Sequence, residues 1–263
     1  MNLKLNGRKA IVTGASRGIG AAIARGLAAE GVDVALFTRE VDNCRILSQE
    51  LINNYKVNSP IVALDLLDIP NIKAAVREGV NLLGGNLDIL VNNAGGATRG
   101  NLFDVSDEAW ERNFTIKPIG IMRMSRECAP YLKQSDQARI INLSGTRGRE
   151  PAYQSTLSGP INMGTNSATK VLANLLGPAG ITVNAICPGS TNTRRWDELV
   201  SITMEKHGLD KDAAEERLCE EVPLGCVIRP EDISDMAVFL ASCRASRISG
   251  TAINIDGGRS RSI

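Results

Sequence analysis

Seven short runs of nearly unbroken apolar residues, with helical patterns between them, restrict this chain's fold more than any other feature. They are KAIVT (9–13), VDVALF (32–37), PIVALDL (60–66), LDILV (87–91), ARIINLS (138–144), ITVNAIC (181–187) and TAINID (251–256). A strand with one wet face alternates apolar and polar residues, so runs this continuous call for cover on both faces. Between them, segments such as IGAAIARGLAAEG repeat apolar residues at helical spacing, and Gly31 suits the position just past such a helix. The alternation specifies an α/β fold: an open, doubly wound, seven-stranded parallel sheet with helices on both faces. With 43% of its 263 residues hydrophobic the chain can bury one large core. No Pro- or Ser-rich linker or repeat divides it, so 1–263 reads as a single domain.

One segment breaks the rhythm. Residues 194–230, RRWDELV to VIRP, form a long charged stretch between the sixth and seventh strands. An insertion at the carboxyl end of a strand lies where such sheets bind ligands, so it is either a substrate lid or a solvated helical excursion.

Charge and cysteine usage narrow the function class. Thirty basic residues against 29 acidic leave a net charge of +1, with no basic stripe or aromatic platform for nucleic acid and no field to gather anionic lipid. Six cysteines are scattered without a CxxC or metal-ligand spacing and read as reduced thiols, so no metal is expected. His207, the only histidine, stands on a charged segment, which rules out any other histidine-based catalytic arrangement. No window reaches the ~18 apolar residues of a membrane span, and the start shows no apolar signal region. A cytoplasmic protein is the expectation.

Directly after the first run comes TGASRGIG (13–20). Gly14 permits a tight turn, Gly18 a close backbone approach to phosphate, and Gly20 close packing of the helix that follows; that helix aims its free N–H groups at a pyrophosphate. Such a glycine triplet between a strand and a helix marks a Rossmann-like dinucleotide site. Here the chain resembles the short-chain dehydrogenase/reductase family, close to its 3-oxoacyl-carrier-protein reductases, and the likeness runs nearly the whole length. Asp65-Leu66 resembles the family's adenine-contacting pair, and Asn92-Asn93-Ala94-Gly95 its motif after the fourth strand. Val183-Asn184, then Pro188-Gly189 with Thr191 and Thr193, resemble its nicotinamide-side segment, and Asp256-Gly257-Gly258 its ending. The resemblance implies cofactor contacts at Gly14, Ser16, Arg17, Gly18, Ile19, Gly20, Arg39, Asp65, Leu66, Asn93, Ala94, Gly95, Pro188, Gly189, Thr191 and Thr193. It also implies a homodimer or homotetramer built through helices near 107–133 and 159–176.

Relatives that use NAD usually carry an acid at the end of the second strand. Thr38 stands there, followed by Arg39, with Arg17 in the glycine loop. Two guanidinium groups suit a 2′-phosphate, so NADP(H) is the preferred cofactor, with NAD(H) still possible; solvated arginines are the plainer reading.

The catalytic positions are where the sequence departs from its family. The family uses an asparagine, a serine, a tyrosine and a lysine; the tyrosine protonates the substrate oxygen as hydride moves. Counting from Trp110 puts Lys117 at the asparagine position. Counting from the fifth strand puts Gly145, next to Ser144, at the serine position. Counting back from Val183-Asn184 puts Ser158 and Asn162 at the tyrosine and lysine positions, and the family's spacing of thirteen is kept between 145 and 158. Lysine and asparagine have thus exchanged places, as in the ketoreductase domains of modular polyketide synthases, so Lys117 would supply its ammonium from the opposite side. Pro118 disfavours helical geometry at 117 and removes a backbone donor, which predicts a kink. The phenol has no replacement in register. Ser158 is the residue in place, Tyr153 in the nearby loop could fold inward or sit at the surface, and Ser144 or Thr146 could stand in for the serine, one residue out of register. Arg147 and Arg149 in the same loop suit an anionic substrate or simply face water.

Two functions follow. One is an NADP(H)-dependent oxidoreductase acting on a small carbonyl or alcohol with a rearranged proton donor. The other is a catalytically silent NADP(H)-binding regulator or partner.

Overall fold

The structure is a computed structural model that describes residues 1–96, 98, 100–152 and 156–261. Seven parallel strands form one sheet: β1 (Lys9–Thr13), β2 (Asp33–Thr38), β3 (Ile61–Ala63), β4 (Ile89–Asn92), β5 (Arg139–Leu143), β6 (Thr182–Pro188) and β7 (Ala252–Ile255), in the order β3-β2-β1-β4-β5-β6-β7. Each run read from the sequence became a strand. The third is shorter than its apolar run because the chain turns at Asp65, whose carboxylate accepts from the Leu67 N–H.

Continuous apolar strands feed two cores. Ala10, Val12, Val34 and Leu36 face one side, under α1 (Gly18–Ala29), α2 (Arg45–Tyr55) and α9 (Pro230–Ala241). Ile11, Ala35, Phe37 and Leu90 face the other, under α3 (Ile69–Leu82), α5 (Gly120–Leu132) and α6 (Ser158–Leu176). Both sets are fully buried, as period-two alternation between two covered faces demands.

Strand order reverses direction between β1 and β4, and this opens a crevice at their carboxyl ends. The segment between β6 and α9 adds α7 (Arg194–His207) and α8 (Lys211–Cys219), which pack together through Trp196, Val200 and Ala214. Its far end returns to the sheet where Leu224 N–H donates to Gly257 O, so the Asp256-Gly257-Gly258 turn anchors the excursion. Among the described residues no helix is long and apolar enough to cross a membrane.

Pro118 is absorbed differently from the expected kink. Helix α4 (Asp107–Phe114) runs through a π-helical turn at Thr115–Ile119 straight into α5. Residue 117 therefore stays helical, and the wider turn accommodates the missing proline donor.

Candidate active site

Two recesses meet over the carboxyl ends of the strands. The first, of about 490 Å³, is walled by the loop after β1, the end of β2, and the turns after β3 and β4. Of the residues expected to hold a cofactor, Gly14, Ser16, Arg17, Ile19, Gly20, Arg39, Asp65, Leu66, Asn93, Ala94, Gly95 and Thr193 line it. The second, of about 620 Å³, adds Pro188, Gly189 and Thr191 and shares Ile19, Gly95 and Thr193 with the first, so the two form one cleft.

Local chemistry explains why the first recess keeps its shape. Thr13 Oγ1 accepts from the N–H groups of Asn93 (3.0 Å) and Ala94 (3.0 Å), tying the β4 turn to β1. Asn93 Nδ2 donates to the carbonyls of Thr13 and Gly14, both at 3.0 Å. A Cβ on Gly20 would stand 2.3 Å from Gly14 O and 2.5 Å from Asn93 Nδ2, and one on Gly14 would stand 2.8 Å from Ala94 Cα. Gly20 is thus required where the helix meets its own loop, more than where it meets the sheet. Gly18 lines neither recess; it is close-packed on Thr193, whose Cγ2 would lie 3.3 Å from a Cβ there. Arg17 and Arg39 are exposed at the rim.

Lys117 lines the second recess. The π-turn sets its stem beside Gly95, and the residue is only 8% exposed. Its Nζ donates to Asn162 Oδ1 at 2.7 Å and to Ser144 O at 2.9 Å. Burial lowers its pKa to about 8; the Cys187 thiol opposes that shift and Arg195 adds to it. Asn162 Nδ2 in turn donates to Ser158 Oγ at 3.3 Å. The geometry therefore joins Lys117, Asn162 and Ser158 in one chain along the cavity wall.

The serine position has closed. A Cβ on Gly145 would lie 2.9 Å from Asn162 Nδ2, so a side chain there would displace the amide that Lys117 holds. Ser144 lines the cavity, because β5 ends at Leu143 and the chain is already turning. Its hydroxyl is committed to Asn162 O at 3.1 Å, which leaves it a brace for α6. Arg149 also departs from expectation: its guanidinium donates to Ala252 O at 2.7 Å, a strut to β7 with no face on the cavity. Arg147 does line the cavity. Tyr153 lies outside the described residues.

A family model described as enoyl-(acyl carrier protein) reductase matches residues 14–260. The NADPH-dependent reductase BacG of Bacillus subtilis is 31% identical over 256 residues, covering 97% of this chain and 99% of the relative. The 3-oxoacyl-[acyl-carrier-protein] reductase FabG of Aquifex aeolicus is 32% identical over 264 residues, covering 98% and 99%. Among solved structures, L-sorbose reductase from Gluconobacter frateurii, complexed with NADPH and L-sorbose, superposes with a TM-score of 0.94 at 28% identity over the full length of both chains.

The chain belongs to the short-chain dehydrogenase/reductase family. In this member of that family of oxidoreductases, Lys117, Asn162 and Ser158 form one hydrogen-bonded chain along the cleft wall. Several residues of its cleft escaped the sequence reading. Arg112 and Asn113 on α4 line the cofactor-side recess, and Asn113 bonds Thr98 Oγ1 at 2.9 Å, pinning the loop after β4. Only their helical spacing beyond Trp110 could have signalled them. Glu40, adjacent to Arg39, lines the same recess. Trp196, Leu199 and Thr203 of α7 wall the second recess. A larger hollow of about 710 Å³ lies at the amino ends of the strands and includes none of these residues. Among the described residues no group of three or more His, Cys, Asp or Glu side chains could hold a metal ion.

Proposed function

We propose that the protein is an NADP(H)-dependent oxidoreductase that interconverts a small carbonyl compound and its alcohol, with Lys117 in place of the usual lysine and phenol. The observation that carries this is the buried Lys117 ammonium, bonded to Asn162 in the wall of the second recess, with its stem beside Gly95, which both recesses share. A surface lysine beside a helix irregularity would have kept its charge in water.

The cleft fits the cofactor. The first N–H groups of α1 open onto a loop drawn so tight that Gly14 and Gly20 admit no Cβ, which leaves bare backbone for a pyrophosphate. Arg17 and Arg39, with no acid at Thr38, offer paired donors to a 2′-phosphate, and the names of the related reductases agree with NADPH. NAD(H) would lack that phosphate and bind more weakly. Asp65, Leu66, Asn93 and Ala94 frame the adenosine side, and Pro188, Gly189, Thr191 and Thr193 the nicotinamide side. When bound, the nicotinamide supplies or accepts the hydride.

The chain's own groups handle the oxygen. Lys117 has three N–H donors and spends two on Ser144 O and Asn162 Oδ1, which leaves one for the cavity. Asn162 directs its amide N–H to Ser158 Oγ, so the Ser158 hydroxyl proton is free to donate to a substrate oxygen. Serine is a weaker acid than a phenol of pKa ~10, so Ser158 orients the oxygen and the ammonium, with its pKa near 8, supplies the proton. Helices α7 and α8 act as the lid over the substrate. Exposed Met122, Met163, Val171 and Leu175 on α5 and α6 suit a homodimer or homotetramer.

A second reading, a silent NADP(H)-binding regulator, draws on the serine that stands where the phenol would be. Turnover of a carbonyl and alcohol panel, followed by nicotinamide absorbance, separates the two. Lys117→Ala should lower kcat by ~10²–10⁴ while leaving NADPH affinity intact. Unchanged kcat would remove Lys117 from the mechanism. Tight NADPH binding with no turnover by the unmodified protein would leave the regulator.

A further inference from the structure

The substrate recess carries more charge than a neutral ketone requires. Lys117, Arg147, Arg195, Arg217 and Arg259 line it, against the carboxylates of Glu220 and Glu221. The chain as a whole is balanced at +1, so the excess is local.

These cations differ in how they are held. Lys117 is bonded to Asn162 and Ser144, and Arg259 pairs with Glu221. Arg147 is half-buried and makes no hydrogen bond or salt bridge among the described residues. Glu221 and Glu150 attract it at longer range, while Arg259 repels it. Its backbone is fixed: Gly148 N–H bonds Gly145 O at 3.0 Å, Arg149 N–H bonds Thr146 O at 2.9 Å, and the Arg149 strut holds the turn to β7. A rooted, half-buried guanidinium therefore lines the same recess as Ser144 and Gly145, without a hydrogen-bond or salt-bridge partner among the described residues. A half-buried guanidinium without a bonded partner gains from an anion that enters the recess, and a planar fork of donors matches two oxygens of one group.

We propose that the substrate carries an anionic group, a carboxylate or a phosphate monoester, which pairs with Arg147 while the reacting carbonyl lies against Lys117 and Ser158. This rests on the reading that the recess receives the carbonyl substrate, but it is tested by binding, without turnover. The probes share one ketone: 4-oxopentanoate, its methyl ester and 4-oxopentyl phosphate. Each is titrated calorimetrically into the NADP⁺-loaded protein. At least one anion should bind about tenfold or more tightly than the ester, and the arm that does so identifies the source of the charge. Arg147→Gln should remove that advantage and leave the ester's affinity unchanged, and Arg147→Lys should restore part of it. An ester that binds as tightly as both anions overturns the proposal, as does a preference that survives Arg147→Gln. Should Arg147→Gln fail to fold, Arg147→Lys takes its place: a weakened anion preference with the ester's affinity unchanged supports the pairing, and an undiminished preference overturns it. Anion preference without turnover of any probe would keep this assignment and count against the oxidoreductase reading alone.

Discussion

Replacing Lys117 by methionine keeps most of the stem's volume and removes the charge, so it isolates what burying the ammonium does. The folded-state pKa is about 8 against an ordinary 10.5. Between those values the unfolded chain binds more protons than the folded one, so stability must rise with pH across the window and fall as pH drops through 8. The shift corresponds to about 3 kcal/mol at 1.36 kcal/mol for each pH unit, of which about 2 kcal/mol accrues between pH 8 and 10. Cysteines, tyrosines and other lysines titrate in the same range, so the informative quantity is the difference between the original protein and Lys117→Met. Urea unfolding at pH 7.5, 8, 9 and 10 measures it. We expect the original protein to gain about 2 kcal/mol on the variant from pH 8 to 10. Parallel stability profiles would mean that the ammonium is not withdrawn from water, and the argument for its acid strength would fail with them. The same pKa sets a catalytic expectation: kcat for carbonyl reduction should decline above about pH 8, where Lys117 loses its proton.

Three further outcomes follow from the geometry. Gly20→Ala puts a methyl 2.3 Å from Gly14 O, so it should cost about 2 kcal/mol or more in a thermal melt and weaken NADPH binding in a fluorescence titration; an unaffected affinity would contradict the cradle. Arg39→Gln should weaken NADPH by about tenfold and leave NADH alone, an exposed charge-assisted pair being worth little more, and equal affinities for the two nucleotides in the original protein would remove the phosphate assignment. Lys117→Asn and Asn162→Lys should each abolish turnover, and the double variant should recover part of it. Independent, additive losses in that cycle would show that the two side chains do not act together.

The fold was legible because its signal is redundant. Continuous apolar runs such as ITVNAIC can be buried only on two faces, and one glycine loop after β1 fixes which end of the sheet binds. The juxtaposition of positions 117 and 162 could also be counted, because helices and strands hold their spacing rigidly. What escaped were directions that depend on a turn. Arg147 and Arg149 look alike in TRGREP, yet the short turn at Thr146–Gly148 sends one to the cavity and the other to Ala252 O. Pro118 announces an irregularity without saying whether it becomes a kink or a π-turn; it becomes a π-turn, from which Lys117 meets Asn162 of α6.

The residues at 117, 145, 158 and 162 form one packing problem more than four separate ones. Asparagine at 162 places a short amide where a lysine would have reached further, and the Lys117 ammonium comes across to meet it at 2.7 Å. With Asn162 pinned there, Gly145 has no room for a Cβ, so a serine at 145 is incompatible with the amide as it stands. With Asn162 Nδ2 already satisfied by Ser158 Oγ, a small hydroxyl at 158 completes the chain and leaves its own proton to donate. Each substitution thus creates the condition for the next. Random decay would have left buried polar atoms unpaired along this wall, yet Nζ of Lys117, the amide of Asn162 and the hydroxyls of Ser144 and Ser158 all have partners. A satisfied, buried and charged network in the wall of the second recess is costly to maintain by accident, and that is the physical reason to read it as a working site.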